Sequence, residues 1–203
     1  MARRGRTPLQ SKESILDAAL ASFASLGYDA TSVRALNAEL GLSHETITQR
    51  FGTKSELFRA SVAHGLQRFV ESVDDQISAA APTNDLERLR VTVRAFIHAT
   101  ARHPHLGALL HQGHLTEADR LELTSTIGLA DHIVGMSELL RSLHAAALIH
   151  ETSTRELWFL VEAAASPLQF RGLAAMFDPV DGPFDAERHL DRMVDIVIRA
   201  LLT

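Results

Sequence analysis

Between Thr31 and Leu57 the chain reads TSVRALNAELGLSHETITQRFGTKSEL, two short helical patterns joined at a glycine and followed at once by the start of a third. Thr31 is a good N-cap for the first helix, whose apolar side is Val33, Leu36, Ala38 and Leu40. Gly41 ends it, because glycine reaches the left-handed backbone region at little steric cost and lets Leu42 tuck beneath the corner. Ser43 is expected to cap the second helix, roughly His44 to Phe51. Its packing side is Ile47 and Phe51, and His44, Glu45, Thr46, Thr48, Gln49 and Arg50 face outward. Helix, glycine turn and a short second helix with a polar face are what a helix-turn-helix requires, the second helix entering the DNA major groove. Two ordinary bundle helices would share this pattern, so the segment alone leaves that reading open.

Thr53 and Glu56 then make a T-x-x-E capping box that opens the next helix. Lys54 falls in its first turn, where backbone amides also point outward, so a phosphate would meet a cation and amide donors together. A lysine there opposes the helix dipole and is costly unless an anion lies nearby. Lys12 and Lys54 are the chain's only lysines, whereas arginine is plentiful. A solvated surface lysine is the alternative.

With these residues in view, the run from Ile15 to Ala60 closely resembles the DNA-binding domain of the tetracycline-repressor (TetR) family of bacterial transcription regulators. The match includes Ala18, Ala19, Phe23, Gly27, Tyr28, Thr31 and Val33, and continues through Gly41, Ser43, Thr46, Phe51, Lys54 and Leu57. The resemblance implies that the first helix braces the other two, that His44 to Arg50 is the recognition helix, and that Lys54 contacts backbone phosphate. Two positions depart from the family. Thr48 stands where an aromatic, most often tyrosine, is usual, and Asn37 where alanine is frequent. Thr48 can offer a hydroxyl to phosphate or a methyl to thymine, Glu45 can accept from cytosine N4, and Gln49 can make a paired contact with adenine. The candidate DNA-contacting residues are therefore Thr31, Ser32, Ser43, His44, Glu45, Thr46, Thr48, Gln49, Arg50 and Lys54. The basic start, Arg3, Arg4 and Arg6, is a candidate arm for a minor groove or backbone.

A net charge of -5 sits oddly with a DNA binder until it is divided. Residues 1–60 hold eight Lys/Arg against six Asp/Glu, and residues 61–203 hold twelve against nineteen. The first part is thus a modest electrostatic footprint for DNA and the acidic remainder is expected to point away from it. At 203 residues, 46% hydrophobic and 22% charged, the chain is long enough for one good core plus a small attached domain. Zero cysteines excludes disulfides and thiolate metal sites. The N-terminus lacks an apolar signal stretch, and no run approaches the ~20 apolar residues of a spanning helix. A cytoplasmic location is expected.

The remainder reads as helix to its end, giving an all-α fold of about nine helices, with a DNA-binding domain at 1–60 and an effector-binding and dimerisation domain at 61–203. Phe58, Val62, Leu66, Phe69, Val73 and Ile77 mark one face of a long helix broken at Ala81 to Asp85. Asn84 and Glu87 cap a helix to about Arg102, His103 to His105 turn the chain, and helices are expected over 106–112 and 116–147, the latter loosened by Gly128 and Gly135. Ser153 and Glu156 open an apolar helix that Pro167 kinks or restarts. After the loop Phe177 to Asp185, a last helix carries Leu190, Met193, Val194, Val197, Ile198 and Leu201, widened by Ile196.

The last two helices, roughly 154–176 and 185–202, carry more apolar side chains than one packed face needs. The resemblance implies that they pair with those of a second copy in a four-helix bundle, giving a homodimer suited to a palindromic double-stranded operator with half-sites about one helical turn apart. It also implies a small-molecule effector held among the middle helices, for which Phe96, Leu110, His111, Met136 and Trp158 are candidate lining residues and an apolar or aromatic ligand the default. No cofactor is implied. Nine of the eleven histidines follow residue 90, and His111 and His114 lie three apart, so a metal-responsive regulator is an alternative. Scattered histidines without cysteine favour no metal. An enzyme is disfavoured, since no G-x-S-x-G, H-E-x-x-H, Walker A or G-x-G-x-x-G run occurs. A helical module that has lost DNA recognition is the other rival, motivated by Thr48 and Asn37.

Overall fold

The computed structural model describes residues 10–110, 115–126 and 128–203, without the side chains of 108, 110, 124 and 126. Arg3, Arg4, Arg6, His111 and His114 lie outside the described residues. Among those described the chain is helical: α1 (Lys12–Leu26), α2 (Val33–Glu39), α3 (Thr46–Phe51), α4 (Lys54–Ala80), α5 (Asp85–Arg102), α6 (Pro104–Leu110), α7 (Glu117–Thr126), α8 (Leu129–Ala145), α9 (Thr154–Gln169), α10 (Arg171–Ala174), a 3-10 turn (Ala175–Phe177), α11 (Asp178–Asp181) and α12 (Ala186–Leu201). It packs as two units. The first runs to Gln67 and takes in His105–Leu123; the second is Arg68–Pro104 with Thr124–Thr203. The boundary expected at residue 60 falls inside α4, which contributes to both units.

The first unit is built on α1, whose Ile15, Leu16, Ala19, Leu20 and Phe23 are buried with Leu36, Ile47, Leu57, Phe58 and Val62. Phe23 stacks on Tyr28 and meets Phe58 edge-on at 5.0 Å between centroids. Full burial of such side chains is worth roughly 1.5–3 kcal/mol each. A Cβ at Gly65 of α4 would stand 3.0 Å from Leu20 Cδ2 of α1, so the two helices approach closely there.

In the second unit α5 packs against α8, α9 and α12. Leu89, Val93 and Ile97 share one core with Leu140, Leu157, Val161, Val194 and Ile198. Arg90–Asp195 and Arg94–Asp191 join α5 to α12 at the surface, where such pairs orient more than they stabilise.

Three expectations need adjustment. The helix expected over 116–147 is two, α7 and α8, because Gly128 adopts φ +71° and turns the chain, whereas Gly135 sits inside α8 without breaking it. Pro167 does not restart α9. It lies inside the helix two residues before its last, and the helix ends at Gln169 rather than 176. The stretch expected as a loop at 177–185 contains one helical turn, α11.

Candidate nucleic-acid interface and an apolar cavity

The corner between α2 and α3 is a Schellman turn. Leu42 N donates to Asn37 O at 2.8 Å and Gly41 N to Ala38 O at 3.1 Å, with Gly41 at φ +66°. The N-cap of α2 is Ser32, whose hydroxyl accepts from Ala35 N; it is not Thr31. Thr31 is buried, and its hydroxyl donates to Gly27 O at 2.7 Å. It secures the α1–α2 turn and has no surface to offer DNA.

The start of α3 also differs from the sequence expectation. The helix begins at Thr46, and the side chain of its N-cap residue, Glu45, makes no capping bond. Ser43 Oγ lies 2.6 Å from Thr46 Oγ1 instead of capping a backbone amide. The amide cap comes from Asn37, which is fully buried. Its Oδ1 accepts from Ile47 N at 3.2 Å while its Nδ2 donates to His44 O at 3.0 Å. One α2 side chain thus satisfies an open donor of α3 and the carbonyl of the turn before it, fixing α3 to α2 at two points. Asn37 departs from the family pattern, and here the departure positions the second helix.

On the outer side of α3, His44, Glu45, Thr48, Gln49 and Arg50 are exposed and Thr46 is half-buried. Gln49 Nε2 donates to Glu45 Oε2 at 3.3 Å, so these two candidate base contacts hold each other. Arg50 Nη1 donates to Gln10 O at 2.8 Å, anchoring α3 to the start of α1. Lys54 is half-buried: its ammonium sits 4.7 Å from the Tyr28 ring centroid and donates to Asp29 O at 3.1 Å. It is held in place with donors to spare for an anion. Thr53 and Glu56 form the expected capping box; Glu56 Oε2 accepts from Thr53 N at 2.7 Å, and that bond holds the carboxyl below its ordinary range. Arg34, which the sequence reading passed over, is exposed in the first turn of α2 behind the Ser32 cap. The signal was available: it is the argument made for Lys54, an arginine in an N-terminal turn beside a reading helix.

The second unit holds a cavity of about 110 Å³ between α4, α5, α8 and α9. Phe96, Met136 and Trp158, three of the candidate lining residues, lie in its wall. The side chain of Leu110 and all of His111 lie outside what the structure describes. Phe96 meets Trp158 edge-on at 4.7 Å and Phe69 at 5.2 Å. His132, on the wall from α8, binds Asp74 Oδ1 at 2.8 Å and Gly128 O at 2.9 Å. Burial alone would depress its pKa, but those two bonds outweigh it and raise the imidazole above its ordinary value. Among the described residues no three His, Asp or Glu side chains converge as a metal site, and no helix is long and apolar enough to cross a membrane.

Residues 15–61 match the family described as bacterial regulatory proteins, tetR family. The HTH-type transcriptional repressor AcnR of Corynebacterium efficiens is 35% identical over 71 residues, which span 35% of this chain and only 38% of that protein. Among solved structures, AibR in complex with isovaleryl coenzyme A and operator DNA is similar at TM-score 0.70 and 22% identity, over 90% of this chain and 95% of that one. The ketosteroid transcriptional regulator KstR2 of Mycobacterium tuberculosis is similar at TM-score 0.66 and 19% identity, over 98% of both chains. At those identities what is shared is the fold.

Proposed function

We propose, from the match of residues 15–61 to the tetR family of bacterial regulatory proteins, that the protein is a sequence-specific DNA-binding transcriptional regulator, a repressor released from a palindromic operator by a small molecule. The observation that carries this reading is α3: a short helix fixed to α2 by the Asn37 clamp, with Thr48 and Gln49 exposed along its outer side. In this reading α3 enters the major groove, and Lys54 and Arg34 take backbone phosphate from helix N-terminal turns. Two copies would pair through α9 and α12, where Phe159 and Ile196 are 59% and 49% exposed. The effector would occupy the cavity beside Trp158. Because α4 supplies both Phe58 of the first core and Phe69 of the cavity wall, a ligand that shifts α4 shifts the population of DNA-competent states. We read the chain as a cytoplasmic binding protein rather than an enzyme.

The test is fluorescence anisotropy of the full chain on a two-fold duplex and on a scrambled one, across a range of salt. Preference for the two-fold duplex, with a changed base preference in Gln49→Ala and a shallower salt slope in Lys54→Ala, is the expected result. Equal binding to both duplexes at every salt concentration would favour a helical module without DNA recognition.

A further inference from the structure

The chemistry of the cavity wall narrows what the effector can be, given the reading of the second unit as the effector-binding part. The wall is carbon almost throughout, and among the described residues no arginine, lysine, aspartate or glutamate lines it. Its one ionisable member, His132, has both ring nitrogens engaged, by Asp74 and by Gly128 O, so it presents no free N–H to an anion. Asp74 of α4 and Asp131 of α8 both act on that imidazole, so the charge around it is already balanced by carboxylates. The charge on that imidazole is paired with the Asp74 carboxylate, so an anion drawn inside would find no unpaired cation among the described lining residues.

One polar atom in the wall is unspent. Thr154 Oγ1, at the first position of α9, is buried without a hydrogen-bond partner, the only such side-chain atom among the described residues. The other wall hydroxyl, Thr92, already donates to Arg88 O at 2.8 Å. A buried orphan hydroxyl is costly in an apolar surround, and a ligand oxygen would relieve it.

We infer that this cavity selects a small uncharged ligand, one ring or a short branched chain in size, whose single carbonyl or hydroxyl oxygen pairs with Thr154, and that it rejects carboxylates and phosphorylated carriers. The fused requirement of an apolar body and one neutral oxygen sets this chain apart from a regulator of thioester-linked coenzyme A.

The protein carries its own reporter, since Trp158 is its only tryptophan and lies in the wall. The full chain, without DNA, is titrated with cyclohexyl methyl ketone, cyclohexanecarboxylate, the corresponding primary amine and ethylcyclohexane, four probes of nearly one shape. Saturable change in Trp158 fluorescence with the ketone, at least about ten-fold tighter than with the carboxylate or the ammonium ion, is expected from the desolvation cost of an unpaired charge. Thr154→Val should weaken the ketone about five-fold and leave ethylcyclohexane unchanged, and Thr154→Ser should restore the ketone. A carboxylate or amine that binds as tightly as the ketone, no saturation by the ketone up to its solubility limit, or a Thr154→Val variant that binds ketone like wild type would overturn the inference. Because no DNA is present, these outcomes leave the DNA-reading proposal standing, and a protein that ignores DNA would still report on its cavity.

Discussion

Asn37 shows how one side chain sets a recognition surface it does not belong to. Its amide bridges His44 O and Ile47 N, so truncation leaves both groups without a partner beneath the corner. Asn37→Ala should therefore lower unfolding free energy by about 1–3 kcal/mol in urea melts and weaken operator binding beyond the stability loss. Unchanged DNA affinity in a folded variant would show that α3 needs no clamp. Gly52 is the other demanding position. It has φ +80°, and a Cβ there would stand 2.4 Å from Glu56 Oε2, the carboxylate that caps α4. Gly182→Ala, with φ +81° and open space around it, should cost only the backbone term of about 1–2 kcal/mol, and Gly52→Ala, which also displaces the capping carboxylate, should lower Tm further. At this scale the sequence was legible where a residue acts on its neighbours, as Gly41, Glu56 and Ser153 do. It was silent where the partner is ten residues away. Asn37 read as a departure from a pattern because nothing local reveals that Ile47 N donates to it, whereas Thr31 read as a cap although its hydroxyl donates backward to Gly27 O, four residues earlier, rather than forward into α2.

Helix ends account for most of what the elements share. Glu56, Glu87, Asp119 and Glu156 each accept from the backbone N–H and hydroxyl of a threonine or serine three or four residues earlier, and each is held below its ordinary pKa by those bonds. A carboxylate depressed in the folded state contributes stability above its unfolded pKa and loses it as pH falls through the folded one. Melts from neutral to acid pH should accordingly show Tm falling below the ordinary carboxylate range, and Glu156→Gln should flatten part of that fall; an identical pH profile in the variant would contradict the assignment. The same local chemistry made the starts of α4 and α9 readable in advance. The break at Gly128 was not, since a glycine in a helical pattern signals either tolerance, as at Gly135, or a left-handed turn, and only packing decides which.

For the molecule as a whole, charge and exposed apolar surface point to how it is used. The acidic excess lies beyond residue 60, and α9 and α12 leave Phe159, Leu160 and Ile196 uncovered in one copy. Ile196→Glu should convert a dimer to monomer in sedimentation and abolish tight binding to a two-fold duplex while leaving half-site contacts intact; a wild type already monomeric at micromolar concentration would remove the pairing proposal. The all-helical architecture was legible from periodicity, whereas only the family resemblance and side-chain size point to Phe96, Met136 and Trp158, together with Leu110 and His111, and the first three do line one cavity. The cavity's polarity was not legible, because Thr154 becomes an orphan only when four helices close around it. The most direct measurement is in vitro selection of random duplexes on the purified full chain at low salt. Enrichment of one two-fold sequence, with half-sites about one helical turn apart, is the result predicted for paired α3 helices reading DNA. Recovery of unenriched sequence would contradict it.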